Sequence, residues 1–470
     1  MKRSRRSSAV VAALLAGSVV TFGAAGTAEA ATPKPWLPAT PTNWSLVVDQ
    51  TKTTPVTVTR GVTQYSETYD TVGGRQHTQV LDVNLGDPNV RLGVVEAGDV
   101  ITNPADETVS SMAARTHAVA GVNGDFFEIN ASGRPLGGVI TNGKLLKSPR
   151  PDFNAQLGVR ADGTMVLGPQ TFSGSVTDGA TSTPLTSVNV VNDVASGGIT
   201  EITPDLGGAT ALPASTLVLG HETKTGTFVV DSVQTGVTAA PALAKGQLGL
   251  LGGGAGGTWL STTVHSGDSV SVTADTGGLK QLLSGSTMLV RDGAVYNDPT
   301  GNPPGGVNPE TVVGVSKDGK HTIIATLDGR LGASAALGVT PAQVAGYMVA
   351  HGAYNAVLFD GGGSTEMAAR KPGDPAVSVM NNPSDGHERP VANGLFLYST
   401  EQAPGFARTM VVNGGKGVDT VPARPCRSPR SASTRSATPR ARRRPCRSCP
   451  RRSVRGRTAS SPRATRAPAC

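Results

Sequence analysis

The segment from Thr340 to Met367, TPAQVAGYMVAHGAYNAVLFDGGGSTEM, constrains the fold of this chain more than any other. Thr340 is placed to cap a helix, Pro341 suits the first helical position, and Gln343 can reach back to close a capping box. Val344, Met348 and His351 then share one helical face, and Gly352 is the expected stop. Asn355 to Phe359 predicts a short buried strand. At its end the chain turns polar at once, with Asp360, Gly361, Gly362, Gly363, Ser364, Thr365 and Glu366. Consecutive glycines allow close backbone approach, and their amides can converge on an anion. An isolated Gly-Gly-Gly reads first as a tight turn. The acid before it, and the hydroxyls and acid after it, make this a candidate active-site loop.

A second segment follows the same logic. Asp106 to Thr116 predicts a helix with Val109, Met112 and Ala113 inward, followed by an apolar strand from Ala118 to Val122. That strand delivers Asn123-Gly124-Asp125-Phe126-Phe127, an amide and a carboxylate anchored by two aromatics. Upstream, Thr78 to Glu96 alternates polar and apolar residues around Gly86-Asp87-Pro88-Asn89 and predicts a β-hairpin. Asn142-Gly143 marks a hairpin turn within Gly133 to Ser148.

Residues 165–290 are rich in Thr, Val and Gly and predict many short strands, an insertion or subdomain. Gly252 to Gly257 reads as a flexible loop without the strand and helix that a nucleotide-binding glycine motif requires. His221 and His265 read as surface residues. Leu289 to Tyr296 predicts a hairpin, and Thr311–Ser316 and His321–Leu327 predict strands, the second leading into Asp328-Gly329-Arg330. Arg389 and Asn393 precede a final strand and fall at the same edge. The fold class expected is α+β, a β-rich domain of mixed sheets flanked by a few helices.

Residues 1–30 have a basic start, an apolar run and Ala28-Glu29-Ala30, the pattern of a secretory signal peptide cleaved after Ala30. No other stretch is long enough to span a bilayer, so the protein is expected to be exported, extracellular or wall-associated. Residues 31–77 form a Pro/Thr-rich N-terminal segment and 401–421 a linker. The net charge of +8 is a property of the termini. Residues 421–470 hold fifteen Arg and no acid, whereas residues 31–420 hold 23 basic against 33 acidic residues. The main body therefore lacks the charge of a nucleic-acid binder. All four cysteines, Cys426, Cys446, Cys449 and Cys470, lie in the tail, so the body has no disulfide or cysteine metal site. The tail is too poor in apolar residues to fold alone. Its basic composition fits an anionic polymer, and Cys446-x-x-Cys449 is half a zinc site. Its abrupt Arg/Pro/Ser/Ala/Cys bias is better explained as a frameshift in GC-rich coding sequence after about Pro422, and it is assigned no function.

GVNGDFF, ATLDGRLGAS, the helix–strand–FDGGGST unit and RPVANGLFLY occur in one order over about residues 78–400. In this the chain resembles the phosphodiester glycosidase family, which includes N-acetylglucosamine-1-phosphodiester alpha-N-acetylglucosaminidase. One departure stands out: Pro309-Glu310-Thr311 occupies a place where the family often has Pro-Arg-Thr.

The resemblance implies hydrolysis of a sugar-1-phosphodiester at the glycosidic C–O bond, leaving sugar and a phosphate monoester. That chemistry needs charge stabilisation on the departing phosphate and a carboxylate near an oxocarbenium-like carbon. Asp125 and Asp360 are the candidate catalytic pair, with Glu366 a third. Gly361, Gly362, Gly363, Ser364 and Thr365, with Arg330, Arg389, Asn123, Gly124 and Asn393, are the candidate substrate and phosphate contacts. A divalent cation, Ca or Mg, held by Asn123, Asp125 and Asp360 is a further option. Two other readings fit the same residues: a phosphodiesterase cutting P–O, and a non-catalytic wall-polysaccharide binder.

Overall fold

Among the described residues, short apolar runs punctuated by Gly, Asn and Asp pair into four sheets of nine, five, eight and five strands. The computed structural model describes residues 44–401. The expected signal peptide, the expected linker after 401 and the tail with its cysteines lie outside the described residues. None of the described helices is long and apolar enough to cross a membrane.

Two sheets face each other and set the architecture. The nine-stranded sheet runs in the order 47–52, 62–71, 74–84, 321–327, 310–315, 355–358, 287–291, 294–295, with 56–59 added on 62–71. Opposite it, a five-stranded sheet runs 377–379, 367–370, 120–123, 393–399, 90–96. Alternate residues on each strand point to opposite faces. Val313, Ile324 and Val357 therefore meet Val94, Val122 and Leu395 in one shared core. Their neighbours Val312, Ile323 and Leu358 point outward and meet helix α3, Pro341–Ala350. On the far side, Ala368 and Phe396 meet helix α1, Val109–Thr116, through Val109, Met112 and Ala113. The result is a helix–sheet–sheet–helix stack.

Local signals hold well where the chemistry is local. Thr340 caps α3, and both halves of the capping box with Gln343 are present. Gly352 follows with φ +78, the left-handed stop that glycine supplies. His351, at the C-terminal cap, bonds Glu67 at 3.1 Å, which also accepts from Tyr347 at 2.8 Å and Tyr69 at 3.0 Å. Burial alone would raise the Glu67 carboxyl, but these hydrogen bonds, with His351 foremost, hold it below its ordinary value. Asn142 and Gly143 both have positive φ and join the hairpin strands 139–141 and 144–147.

Three expectations are corrected. Three sheets are wholly antiparallel and the fourth has one two-residue parallel pairing, Ser187–Val188 on Thr200–Glu201, so mixed sheets are largely absent. The predicted Thr78–Glu96 hairpin does not form: Gly74–Asn84 pairs with 321–327, while Val90–Glu96 pairs with 393–399 in the opposite sheet. Alternation marks a strand but not its partner, and the Asp87 turn carries the chain between layers, with the Asp87 carboxylate accepting from Asn89 N–H at 2.9 Å. Gly252–Gly257 is no flexible loop. It joins strand Gln247–Gly252 to helix α2, Gly254–Thr263, in the eight-stranded sheet built from 173–275. A Cβ at Gly253 or Gly256 would collide with the backbone of Val194 or Gly198, so these glycines serve close packing. Amide Gly256 N–H donates to Gly197 O at 2.9 Å and is not available to a ligand. His221 and His265 are exposed as expected, beside Asp231 and Asp268.

Candidate active site

The strands Ala120–Asn123 and Asn355–Leu358 belong to facing sheets and end at the same place. Asn123 ties the two ends together. Its Nδ2 donates to Asp360 O at 2.7 Å, and its Oδ1 accepts from Thr311 Oγ1 at 2.7 Å and Glu366 N–H at 3.1 Å. The Asp360 amide donates to Gly124 O at 2.9 Å. Asp125 and Asp360, 235 positions apart in sequence, thus sit on loops bonded directly to each other. Asn123 is fully buried and its oxygen is saturated, so it positions the loops and is not free to contact phosphate or a cation. The cation set Asn123–Asp125–Asp360 therefore loses one of its three ligands. Among the described residues no three His, Cys, Asp or Glu side chains are grouped to hold a metal.

The glycine turn departs from expectation in how it uses its amides. Gly362 N–H donates to Pro309 O at 2.8 Å, Ser364 N–H to Gly361 O and Thr365 N–H to Gly362 O, while Gly361 N–H lies against the Asp360 carboxylate. These amides are consumed in closing the turn. What the glycines provide instead is access for cations. A Cβ at Gly363 would overlap the Arg389 guanidinium, and one at Gly362 would press on that of Arg330. Arg389 is held by Asp385 at 2.7 Å and reaches Ser364 Oγ at 3.4 Å. Arg330, at φ +61, donates to Asn308 Oδ1 at 2.7 Å and makes no ion pair among the described residues. Gly124 donates its N–H to Asn393 O at 2.9 Å, and a side chain there would strike Asn393, so it too is scaffold. Thr365 is buried with its hydroxyl unpartnered.

The electrostatics separate the two acids. Burial pushes the Asp125 carboxyl up to about 7 against the opposing pull of Gly137 N–H, which donates to Oδ2 at 2.5 Å, and of Lys147. Burial also raises Asp360, to about 6, with Ser364, Gly361 N–H and Arg389 restraining it. Both acids are thus raised towards neutrality by burial, the setting in which one member of a carboxyl pair can hold a proton while the other is ionised. Around Asp125 stand Asn393, a candidate from the sequence, and two groups that sequence reasoning missed, Glu96 and Lys147. Asn393 accepts from Asp125 N–H at 2.8 Å through Oδ1 and donates through Nδ2 to Glu96 at 2.8 Å. Burial raises Glu96 to about 8 and lowers Lys147 to about 8. Lys147 is anchored on the carbonyls of Pro135 and Leu136. Glu96 was findable by the rule already applied to Asp125, an acid at the end of an apolar strand. Lys147 carried no such signal.

Glu366 is not part of the pair. Its side chain is buried against Glu388, which accepts from Ser110 Oγ at the start of α1, on the helix side of the sheet. Burial and Glu388 push its carboxyl up to about 9. A carboxyl raised above its unfolded value of about 4.3 stabilises the fold below that value, and the contribution is lost as pH rises towards the folded one. Glu366→Gln retains the hydrogen bond without ionising. Its melting temperature is expected to drop less than the parent's between about pH 5 and 9, by several degrees at the alkaline end. Parallel curves from thermal melts would assign the alkaline loss to other groups.

Two facing sheets that bring two buried carboxyls together, with two arginines against the glycine turn, define a class: a β-rich α+β protein with charged groups gathered where the sheets' strands end. Residues 220–398 match the family model for phosphodiester glycosidase, and the resemblance to that family read from the motifs stands. That stretch holds Arg330, Asp360, the glycine turn and Arg389; Asn123 and Asp125 lie before it. Among solved structures, a hypothetical protein from Synechocystis is similar at 17% identity with a TM-score of 0.59, over 73% of this chain and 63% of that one. The chain thus spans less than two thirds of that protein's length. A protein of Burkholderia pseudomallei described as exported matches at 18% identity and TM-score 0.59, over 77% of this chain and 100% of that one. These likenesses show the fold. The zebrafish N-acetylglucosamine-1-phosphodiester alpha-N-acetylglucosaminidase catalytic domain is similar at 17% identity over 77% of this chain and 87% of that one, with a TM-score of 0.36. No curated protein matches.

Proposed function

We propose that this protein is an exported hydrolase that cleaves the glycosidic C–O bond of a sugar-1-phosphodiester in cell-wall or capsular glycans. The observation that carries the reading is the buried Asp125–Asp360 pair, its loops bonded by Asp360 N–H to Gly124 O at 2.9 Å, with Arg330 and Arg389 against Gly362 and Gly363 of the Asp360 loop. The family match supports the reaction class. Export rests on residues 1–30.

In this reading the phosphoryl group lies between Arg330 and Arg389, which stabilise the charge that develops on it. Asp360, ionised, takes a proton from the water that adds to the anomeric carbon, or adds to that carbon itself to give a glycosyl ester that water, deprotonated by the then-ionised Asp125, hydrolyses. The electron pair of the C–O bond leaves on the phosphate oxygen, and Asp125 supplies the proton. Phosphate is a good leaving group, so the arginines carry more of the burden than the acid.

The test is incubation of the protein with UDP-N-acetylglucosamine and simpler sugar-1-phosphodiesters, with products identified. Free reducing sugar with a phosphomonoester is the expected result. Sugar phosphate would place the cleavage at phosphorus, and no turnover by folded protein across the panel would favour a binding protein.

A further inference from the structure

A cavity of about 450 Å³ lies at the N-terminal end of α3, and neither the carboxylate pair nor the two arginines line it. Trp44, Val307 and Leu337 form an apolar wall, and Thr71, Gln76 and Thr340 a polar one. The fold fixes both walls. Trp44 is stacked on Tyr347, and its Nε1 donates to Gln343 O at 2.8 Å. Asn308, next to Val307, exchanges both backbone hydrogen bonds with Val339, at 3.0 and 2.9 Å. Thr71 Oγ1 donates to Gly74 O at 2.7 Å and Thr340 Oγ1 to Gln343 Oε1 at 3.2 Å, so both hydroxyl protons are committed. Gln76 is different. It is 5% exposed and shares a face of strand 74–84 with Val80, which packs towards α3. Gly338 N–H, 3.2 Å away, can only meet an acceptor, which fixes Gln76 Oε1 there and turns Nε2 away. That NH2 group has no hydrogen-bond partner among the described residues and is not sealed in the core; it opens on the cavity that Gln76 lines. Leaving such a donor unpaired costs free energy that a ligand oxygen would restore.

We propose that this cavity is a carbohydrate-binding site, separate from the carboxylate pair, that holds one uncharged pyranose ring with an oxygen on the Gln76 amide. The lining has no ionisable side chain, so nothing in it would offset the desolvation of a phosphate, a carboxylate or an ammonium group. The free donor calls for an oxygen acceptor, and the apolar wall calls for a C–H surface. Its volume is that of a small-molecule pocket. A pyranose carries both features, hydroxyl oxygens around its edge and C–H groups over its faces. Thr71 and Thr340 keep oxygen lone pairs for its hydroxyl protons. Such a site serves a glycan hydrolase and a non-catalytic glycan binder alike, so it does not depend on the reaction proposed above.

The experiment is calorimetric titration of the full protein with methyl α-glucoside, methyl N-acetyl-α-glucosaminide and uridine, for the parent, Gln76→Glu, Val307→Trp and Asp360→Asn. At least one of the two sugars is expected to bind the parent saturably, and more tightly than uridine. Gln76→Glu keeps an acceptor for Gly338 N–H and replaces the NH2 group with oxygen, so it should weaken sugar binding about tenfold. Val307→Trp, at an exposed position on the rim, should weaken it as much by filling the cavity. Asp360→Asn should bind sugar as the parent does. Either cavity variant that folds by circular dichroism decides the matter. No binding of either sugar, tighter binding of uridine, unchanged affinity in the cavity variants, or loss in Asp360→Asn alone would overturn the proposal. Sugar binding with the expected losses, but without turnover of any phosphodiester, would leave the cavity site standing and sink the glycosidase reading instead.

Discussion

Asp360→Asn should lower the release of reducing sugar from a sugar-1-phosphodiester by about a thousandfold, within the range seen for a lost acid–base group. The substitution separates catalysis from scaffolding. Asn keeps an oxygen that can accept the Gly361 amide, so a residue that merely closes the turn would tolerate the change. The loss is expected in kcat with little change in KM, because the phosphoryl group is assigned to Arg330 and Arg389. The parent's own pH profile gives a second check. Asp360 must be ionised and Asp125 protonated, and burial raises them to about 6 and about 7, so kcat should peak between those values and fall on both sides. In Asp125→Asn the alkaline limb should disappear. Retained activity in Asp360→Asn, measured by product analysis, would remove the carboxylate pair from the mechanism.

Asn123→Ala should be among the most destabilising single changes in the protein, at about 3 kcal/mol. The side chain makes three hydrogen bonds in a fully buried setting, joining Thr311, Glu366 and Asp360. Truncation leaves the Thr311 hydroxyl and the Glu366 N–H without an acceptor where water does not reach. It also removes one of the two hydrogen bonds that tie the Asp360 backbone to the other sheet, leaving only Asp360 N–H to Gly124 O, so activity should fall further than stability alone explains. Urea unfolding measures the first effect, and turnover well below the denaturation midpoint measures the second. A loss under about 1 kcal/mol would mean that the site relaxes around the gap.

Much of this was legible in the residues themselves. The α3 capping box, the Asn142-Gly143 turn and the strand that ends at Asp360 are decided within a few positions, so local chemistry suffices. The Asp125 and Asp360 loops were recognisable for the same reason, each being an apolar run that breaks into acid and glycine. What escaped depends on partners far away in sequence. Val90–Glu96 alternates as a strand should, yet nothing in it says that it pairs with 393–399 and not with its neighbour across the Asp87 turn. Asn123 and Asn393 look like ligand contacts by type, but the structure spends both on fastening other loops. Glu310 was visible as an odd residue in a familiar motif, while its placement behind Gly361 required the fold.

The position of strand 393–399 also shapes how the protein comes to be folded. It lies between Val90–Glu96 and Ala120–Asn123 and pairs with both. Until it arrives, those two strands have no common partner and leave unpaired edges facing one another. Closing a loop of this length is entropically slow, and sheets dominated by distant pairings fold late. Asn393, at its first position, also completes the bonds around Asp125 and Glu96. Assembly of the Asp125 pocket therefore requires a long-range closure of its sheet, and a chain halted before residue 393 holds both carboxylates without the strand that sets one of them in place.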